Sequence, residues 1–298
     1  MKVGIPRALL YYKYNPFFET FYSELGCEII ESPETNKVIL DYASKYCVDE
    51  ACLPIKIFHG HVYYLKDKCD MILVPRIMRV NDKEYICPKF CGLPEMIENS
   101  IYDLPPITKT PIYANNKEKL LRWANREGGN ITKNKIKIKR AFDNALREQE
   151  KYTCGVNDEG YKTKVVLAGH PYSVNDSFLN MNVIKKLNNL GIGVITEEFV
   201  SKDDINYEVD KLFKRPFWTF TKDTYGSTVY LADNRKVDGI VYVSSFGCGI
   251  DSVLIELIKN NVGDFPFLIL KVDEHTGEVG FNTRIEAFSD MILRRKLS

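Results

Sequence analysis

A strand, a glycine-rich turn and a helix follow one another in the stretch 237-VDGIVYVSSFGCGIDSVLIELIK-259. The apolar run from Val237 to Ser244 predicts the strand, and apolar residues at helical spacing predict the helix from Asp251 to Lys259. The turn between them carries Cys248 with a glycine on each side. A strand that leads directly into a helix is typical of α/β proteins, in which strands and crossover helices alternate.

The same alternation of short apolar strands and helices recurs along most of the chain. Further strands are predicted at 2–5, 28–30, 70–74, 164–171 (with a turn), 194–196 and 267–272, and further helices at 17–25, 36–45, 55–66, 178–190 and 283–297. This order predicts doubly wound parallel sheets. Two charged helices at 115–126 and 133–151 interrupt the alternation and predict a helical bridge. We therefore predict an N-terminal α/β lobe at 1–114, a bridge at 115–160 and a C-terminal α/β lobe at 161–298.

Charge and hydropathy narrow the class of protein. The chain has 298 residues with 41 basic and 40 acidic side chains, so its formal net charge is +1 and does not call for a nucleic-acid partner. No run of about 20 apolar residues is present to span a membrane, and the N-terminus reads as a strand and turn rather than as a signal peptide. We therefore expect a soluble cytoplasmic protein, whose eight cysteines favour metal or redox chemistry over a disulfide framework.

Three cysteines, Cys52, Cys87 and Cys248, lie at turns beside a proline or a glycine. Cys52 and Cys248 precede predicted helices, whose N-terminal N–H groups lower the pKa of a thiol. Gly247 and Gly249 leave room for a bulky inorganic group, which makes them candidate cofactor-binding residues. Three thiolates from separate loops are the ligand set of a 4Fe–4S cluster with one open iron site, and zinc is the alternative. The spacing also leaves open that each cysteine is simply a small buried apolar side chain.

Two further cysteines lie close in sequence to these candidates. Cys47 and Cys91 are four or five residues from Cys52 and Cys87. Each is a candidate for a fourth ligand or for a resolving thiol. The sequence does not decide whether either one takes part in binding a metal.

Two histidines are candidates for proton transfer. The loop Asp273-Glu274-His275-Thr276-Gly277-Glu278 follows a predicted strand, which places it on the same edge of the sheet as Cys248. His275 is a candidate proton donor and Glu278 a second candidate catalytic residue, and a polar turn that caps the last helix is the alternative. His170 ends another predicted strand and is also well placed for a function.

Five motifs together resemble those of a known family, and the resemblance spans nearly the whole chain. They are Val3-Gly4-Ile5-Pro6-Arg7, Val48-Asp49-Glu50-Ala51-Cys52-Leu53-Pro54, Tyr85-Ile86-Cys87-Pro88-Lys89-Phe90, Phe246-Gly247-Cys248-Gly249 and Asp273-Glu274-His275-Thr276-Gly277-Glu278. The chain is similar to the acyl-CoA dehydratase activase-related proteins of the 2-hydroxyacyl-CoA dehydratase superfamily. The resemblance implies two flavodoxin-like (Rossmann-like) lobes and an iron–sulfur cluster, 4Fe–4S or double-cubane, with Cys52, Cys87 and Cys248 as ligands.

The resemblance also implies partners and an activity. Clusters of this superfamily accept one electron from a separate ATP-dependent activase of the ASKHA type and reduce a small substrate, in the dehydratases a 2-hydroxyacyl-CoA. The chain has no nucleotide-phosphate loop, so we do not expect it to be the activase itself. It is then a catalytic component, a lyase or oxidoreductase working without oxygen, or only an electron carrier, and a homo- or heterodimer is left open. The alternative hypothesis is a two-lobed ligand-binding module with structural zinc or merely buried cysteines.

Overall fold

The computed structural model describes residues 1–295, and the chain divides into two compact units, Met1–Thr153 and Cys154–Ser298. The elements of the first unit are β1 (Lys2–Ile5), α1 (Tyr11–Glu24), β2 (Glu28–Glu31), α2 (Lys37–Tyr46), α3 (Leu53–Leu65), β3 (Met71–Ile72), β4 (Ile77–Arg79), α4 (Pro88–Cys91), α5 (Leu93–Ser100), β5 (Ile112–Tyr113), α6 (Lys117–Gly129) and α7 (Lys135–Lys151). Those of the second unit are β6 (Thr163–Gly169), α8 (Pro171–Asn175), α9 (Val183–Asn189), β7 (Ile192–Ile195), α10 (Lys202–Asp210), α11 (Thr219–Asp233), β8 (Gly239–Ser245), α12 (Gly249–Val262), β9 (Phe267–Val272) and α13 (Glu278–Arg295). A 3-10 turn at Glu197–Phe199 precedes α10.

The sheets of the first unit are parallel and short. Its main sheet has the strand order β2-β1-β3, and a separate pair joins β4 to β5. Residues 2–5 form β1 as predicted, and the apolar side chains of Val3 and Ile5 are buried on the same face of the strand. Asn36 caps α2 by accepting hydrogen bonds from the backbone N–H groups of Val38 and Ile39, as an asparagine at this position is expected to do.

Helices α6 and α7, which the sequence predicts as a bridge, pack inside the first unit. The ring of Trp123 on α6 lies 5.2 Å from Phe21 of α1, and Phe142 on α7 lies 6.2 Å from Phe17 of α1. Lys137 of α7 also donates to the backbone carbonyl of Leu25 at 2.9 Å. The charged side chains cover the outer face of these helices, while their aromatic stripe is buried. The predicted boundaries at 114 and 160 stay a prediction.

The second unit contains a four-stranded parallel sheet in the order β7-β6-β8-β9. Strand β8 is buried over its whole length and pairs with β6 on one side and β9 on the other. Its side chains Ile240 and Tyr242 pack with Tyr225, Leu254 and Ile258 in one apolar cluster. The parallel sheets and their helices confirm the predicted doubly wound α/β class.

Two helices of the second unit begin at residues other than those predicted from the sequence. The helix predicted at 178–190 begins at Val183, because Met181 and Asn182 adopt left-handed conformations with φ of 51° and 57°. The helix predicted at 283–297 begins earlier, at Glu278, and is described as far as Arg295, so Leu297 lies outside the described residues. Along residues 1–295, we find no helix that combines the length and the apolar character needed to cross a bilayer.

Helix α11 is polar in sequence and yet buried, which is why periodicity does not predict it. Thirteen of its fifteen residues are buried, among them Lys222 and Asp223. The Asp223 carboxylate accepts from Lys202 at 2.9 Å, so its charge is paired. At Gly226 an added Cβ would come within 2.5 Å of the Ile205 carbonyl oxygen, so α10 and α11 approach closely at this glycine.

Candidate metal centre

Three side chains able to bind a metal meet at the carboxyl-terminal edge of the second unit's sheet. His170 directly follows β6, whereas Cys248 lies in the turn after β8 and Asp251 in the first turn of α12. The strand order reverses between β6 and β8, because β7 lies on one side of β6 and β8 on the other. Doubly wound sheets bind ligands at such a reversal, beyond the carboxyl ends of the strands.

The donor atoms of these residues are close enough to share one ion. One nitrogen of His170, the sulfur of Cys248 and one carboxylate oxygen of Asp251 all lie within 4.8 Å of one another. The Nε2 atom of His170 is 3.2 Å from Oδ1 of Asp251. Two ligands at about 2.1 Å from a tetrahedral zinc ion are roughly 3.4 Å apart, so this nitrogen and oxygen have the spacing of a metal-binding pair.

Two hydroxyl groups of β8 hold the Asp251 carboxylate in place. The Tyr242 hydroxyl donates to Oδ1 at 2.7 Å, and the Ser244 hydroxyl donates to Oδ2 at 2.8 Å. The carboxylate belongs to a residue that is 1% exposed, where an unpartnered charge would be costly. Because both oxygens accept a hydrogen bond from the same strand, the sheet itself sets the orientation of Asp251.

His170 and Asp251 form a charged pair although both are buried. Burial opposes the imidazolium form, but the adjacent Asp251 carboxylate outweighs it and raises the pKa of His170 well above its usual value. Burial also opposes the ionised carboxylate, whereas His170 and the hydroxyls of Tyr242 and Ser244 lower the pKa of Asp251. Each partner of the pair therefore favours the charged form of the other.

Cys248 presents its thiol at a helix N-terminus, in a turn with open space. It is the N-cap residue of α12 and is half-buried. Gly247 before it has a φ of 74°, a left-handed conformation that a glycine adopts without strain. Apart from chain neighbours and the backbone of α12 itself, no heavy atom of the described residues lies within 4 Å of a Cβ added to Gly247 or Gly249. A bulky group can therefore approach the turn, which is what the predicted cofactor-binding role of these glycines requires.

The two candidate ligands of the first unit have a similar local setting. Cys52 is the N-cap residue of α3, and Cys87 is the N-cap residue of the single-turn helix α4. A proline follows in the first turn of each helix, which is why the chain turns there. Both thiols are half-buried. The three cysteines singled out in the sequence thus share one position relative to a helix, and their role as ligands stays a prediction.

Cys47 and Cys91 are held as thiols in the first unit. Burial raises the pKa of Cys47 to about 11, although the backbone N–H of Val48 and the charge of Lys56 oppose it. Burial also raises the pKa of Cys91, whose Sγ donates to the Ile77 carbonyl at 3.7 Å. A metal ligand must lose its proton, so burial disfavours Cys47 and Cys91 as ligands.

The predicted catalytic residues His275 and Glu278 lie outside the His170–Cys248–Asp251 group. His275 is exposed, and its backbone N–H donates to Oδ1 of Asp273 at 3.0 Å. Glu278 is exposed and forms an ion pair of 2.8 Å with Lys186, whose hydrogen bond lowers the pKa of the carboxyl. Their catalytic roles stay predictions.

Sequence reasoning pointed to Cys248 and His170 but missed the residues that connect them. Cys248 and Asp251 are three positions apart at the start of a helix, a spacing that places them on one face. Tyr242 and Ser244 are two positions apart on a strand, so their side chains share a face of the sheet. These spacings are visible in the sequence. The pairing of Asp251 with His170 is not, because the two residues follow different strands.

Comparison with known families covers both units. A family model described as CoA enzyme activase uncharacterised domain matches residues 2–200, and one described as 2-hydroxyglutaryl-CoA dehydratase, D-component matches residues 128–292. None of the curated proteins gave a match. Each family model spans more than half of the chain, and the second includes His170, Cys248 and Asp251. The chain therefore belongs to the family of 2-hydroxyacyl-CoA dehydratase and activase-related proteins.

Proposed function

We propose that this protein is an iron–sulfur component of the 2-hydroxyacyl-CoA dehydratase type, with Cys52, Cys87 and Cys248 as the ligands. The observation that supports this proposal best is the shared position of the three thiols. Each belongs to a half-buried N-cap residue followed by proline or glycine. Backbone N–H groups at a helix N-terminus stabilise thiolates, which are the form that iron and zinc bind.

The donor set suits an iron–sulfur cluster better than a disulfide. All eight cysteines lie within the described residues and are free, and Cys52, Cys87 and Cys248 each lie at the start of a helix. A 4Fe–4S cluster, when bound, supplies one-electron transfer at low potential. Gly247 and Gly249 leave room beside Cys248, and the half-buried thiols limit access of water to the group they hold.

We assign the supply of electrons to a separate partner. We propose that this partner is an ATP-hydrolysing activase of the ASKHA type, which the family relationship favours. The acceptor is a small substrate, and the family relationship favours an acyl-CoA thioester. We propose a cytoplasmic location, and we expect the protein to work without oxygen, because oxygen oxidises exposed clusters of low potential.

His275 and Glu278 are the residues we propose for proton transfer to the substrate. His275 lies on the loop after β9 and Glu278 begins α13 directly after that loop, which starts at the same edge of the sheet as the turn that carries Cys248. His275 is exposed and thus accessible to a substrate. A His275→Ala variant that keeps its cluster but loses substrate reduction would support this role, whereas full activity would contradict it.

Iron and acid-labile sulfide, measured per chain after anaerobic purification, test the proposal. We expect about four irons and four sulfides per chain, or about eight of each for a double cubane. Cys52→Ala, Cys87→Ala and Cys248→Ala should each lose most of the iron. Cys27→Ala is the matched control, because burial raises the pKa of this thiol and it is not a proposed ligand. Wild-type protein without iron and sulfide, even after reconstitution, would contradict the proposal.

A single bound zinc ion is the second candidate, and the 3.2 Å spacing of His170 and Asp251 favours it. In this case Cys248 would complete a three-residue site with one open position, the arrangement of zinc centres that bind a substrate or water. The two candidates differ in what Cys52→Ala does. Loss of metal in this variant supports the cluster, whereas retention of one zinc per chain supports the mononuclear site.

A further inference from the structure

Positive charge is concentrated on α6 and α7, the two helices that pack inside the first unit. The segment 115–151 contains eleven basic and five acidic side chains, a net charge of +6, whereas the formal charge of the whole chain is +1. The other 261 residues therefore carry a net charge of −5. We propose that the outward face of α6 and α7, which we call the basic surface, is the docking site for an acidic face of the activase that supplies electrons. This inference rests on the proposed function, because that function includes the activase.

The basic side chains of α7 lie on the face that does not pack in the core. The buried stripe of this helix consists of Ile138, Ala141, Phe142 and Ala145. Its outward face exposes five basic side chains, Lys135, Lys139, Arg140, Arg147 and Lys151. Three of these five have an acidic partner, whereas Lys135 and Arg147 form no ion pair with any described residue. The fold therefore does not neutralise the charge of the basic surface, which remains available to a partner.

An apolar side chain lies among these cations. Ile136 is 83% exposed, and no other large apolar side chain of α6 or α7, both of which are fully described, is exposed to a similar degree. Ile136 lines an open groove of about 460 Å³ on α7, together with Lys135, Lys139, Arg140, Asp143, Asn144 and Arg147. Protein–protein interfaces combine an apolar centre with a polar and charged rim. The groove has this arrangement, with Ile136 inside a rim of basic side chains.

The composition of the basic surface fits a protein partner better than a nucleic acid or a membrane. The acidic residues Asp143, Glu148 and Glu150 are interspersed with its cations and would repel phosphate groups. The aromatic rings of the two helices, Trp123 and Phe142, are buried and cannot stack on bases. A single exposed isoleucine also offers too little apolar area for insertion into a bilayer. An acidic protein face can instead pair with the cations and cover the isoleucine.

The electron donor is the partner in the proposed function that such a surface suits. The donor must bind, lose one electron to the cluster of this protein, and leave again. Opposite charges raise the rate of encounter by about 10–10³-fold without a large buried area, so they permit this repeated exchange. The basic surface belongs to the first unit, which also carries Cys52 and Cys87. A donor bound there therefore docks on the unit that supplies two of the three proposed cluster ligands.

The experiment uses the full chain, purified anaerobically and loaded with cluster, and the ASKHA-type activase of the same organism, purified separately. The double variant Lys135→Glu/Arg147→Glu reverses the two unpaired cations of the groove. Lys185→Glu/Lys214→Glu is the matched control, because both lysines are exposed on the second unit and the net charge changes by the same amount. Ile136→Ser removes the apolar centre without a change of charge. Iron content and far-UV circular dichroism establish that each variant is folded and loaded.

The measurements are the second-order rate constant of cluster reduction by the activase with Mg²⁺ and ATP, and the Kd of the complex by calorimetry, at low and high salt. At low salt, Lys135→Glu/Arg147→Glu should slow reduction by about 10–100-fold, and at about 1 M salt the difference should nearly vanish because salt screens the attraction. Lys185→Glu/Lys214→Glu should stay within about twofold of wild type. Ile136→Ser should raise Kd by about fivefold at every salt concentration, since an apolar contact is not screened.

Three results would overturn the inference and leave the proposed function standing. The first is reduction of loaded Lys135→Glu/Arg147→Glu at the wild-type rate with an unchanged Kd. The second is equal slowing in the control variant, because net charge rather than the basic surface would then attract the activase. The third is binding of wild type to a short DNA duplex or to phosphatidylserine vesicles that the double variant loses while it still binds the activase. Wild-type protein without iron and sulfide would instead remove the proposed function, and the Kd of the activase would still decide whether the surface binds it.

Discussion

Two buried histidines, His61 in the first unit and His170 in the second, have pKa values shifted in opposite directions. His61 lies between two hydroxyls, with Nδ1 2.8 Å from Ser32 and Nε2 3.0 Å from Thr35. Burial lowers the pKa of His61 to about 3, and the charge of Arg7 adds to this effect. His170 is buried as well, but the carboxylate of Asp251 raises its pKa.

The comparison shows that the partner rather than the burial decides the charge. A neutral imidazole with one N–H can donate to one hydroxyl and accept from another, which satisfies both ring nitrogens at His61 without a charge. A buried carboxylate instead stabilises the protonated ring by more than burial costs. The first site is thus a neutral packing element, and the second is a buried charge pair beside a thiol.

The largest expected effect comes from removing the carboxylate of the charged site. Asp251→Ala leaves His170 without its counter-charge and two hydroxyls without their acceptor. We expect the free energy of unfolding to fall by about 3–5 kcal/mol, as found when one partner of a buried ion pair is removed. Urea unfolding of wild type and variant measures this change. A loss below about 1 kcal/mol would contradict the charged pair, because surface-like pairs lose no more than that.

The second largest effect that we expect is a loss of folding stability at acidic pH, caused by His61. Its folded-state pKa of about 3 lies below the unfolded value, so the unfolded chain binds a proton first as the pH falls. Stability is therefore full above pH ~6.5 and declines as the pH falls toward about 3, by roughly 2–3 kcal/mol at pH ~4.5. The contribution of His170 to stability depends on pH in the opposite direction. Because its pKa is raised in the folded state, it stabilises the fold below pH ~6.5, and this stabilisation is lost as the pH rises through the folded-state pKa.

Urea unfolding at several pH values separates the two histidines. His61→Gln keeps a donor and an acceptor for the two hydroxyls but cannot be protonated. The variant should lose less stability than wild type between pH 7 and pH ~4.5. An identical decline in both proteins would mean that His61 is not the group responsible. Histidine proton resonances followed over the same range would identify His170 as the ring that stays protonated above its ordinary pKa.

We expect a smaller loss of folding stability when one of the hydroxyls that hold Asp251 is removed. Tyr242→Phe removes the donor to Oδ1 and keeps the ring that packs in the apolar cluster. Because hydrogen bonds to charged groups contribute about 1.5–3 kcal/mol, thermal or urea unfolding should show a loss in that range. An unchanged stability would indicate that His170 and Ser244 alone hold the carboxylate.

We expect the smallest loss of folding stability at the site of the neutral His61. Thr35→Val preserves the shape of the side chain and removes the hydroxyl that contacts Nε2 of His61. A hydrogen bond between neutral groups contributes about 0.5–1.5 kcal/mol, so we expect a loss of stability in that range by urea unfolding. A loss as large as that of Tyr242→Phe would remove the contrast between the two sites.

Local sequence patterns predicted much of the fold and part of the candidate site. The N-cap positions of Cys52 and Cys248 follow from prolines, glycines and apolar periodicity within a few residues, and local geometry of this kind depends on neighbours in the chain. The parallel α/β class follows from alternation alone. His170 at a strand end was predicted for the same reason, since strand and turn residues are adjacent.

Other features could not be predicted because they depend on contacts between distant segments. Helix α11 is buried although its sequence is polar, since it packs closely against α10 at Gly226 and the Asp223 carboxylate is paired with Lys202. Helices α6 and α7 have charged sequences, but the aromatic stripe that carries Trp123 and Phe142 packs on α1. In each case tertiary packing outweighs local pattern.

The sequence by itself determined where thiols and turns coincide, because cysteine, proline and glycine act on the backbone within one turn of a helix. The tertiary structure alone decided that Asp251 meets His170, which lies 81 positions away along the chain at the end of a neighbouring strand. That contact sets the charge of His170, since a buried ring becomes charged only when a counter-charge lies within a few ångströms. The chemistry available beside Cys248 is therefore a consequence of strand order rather than of any local motif.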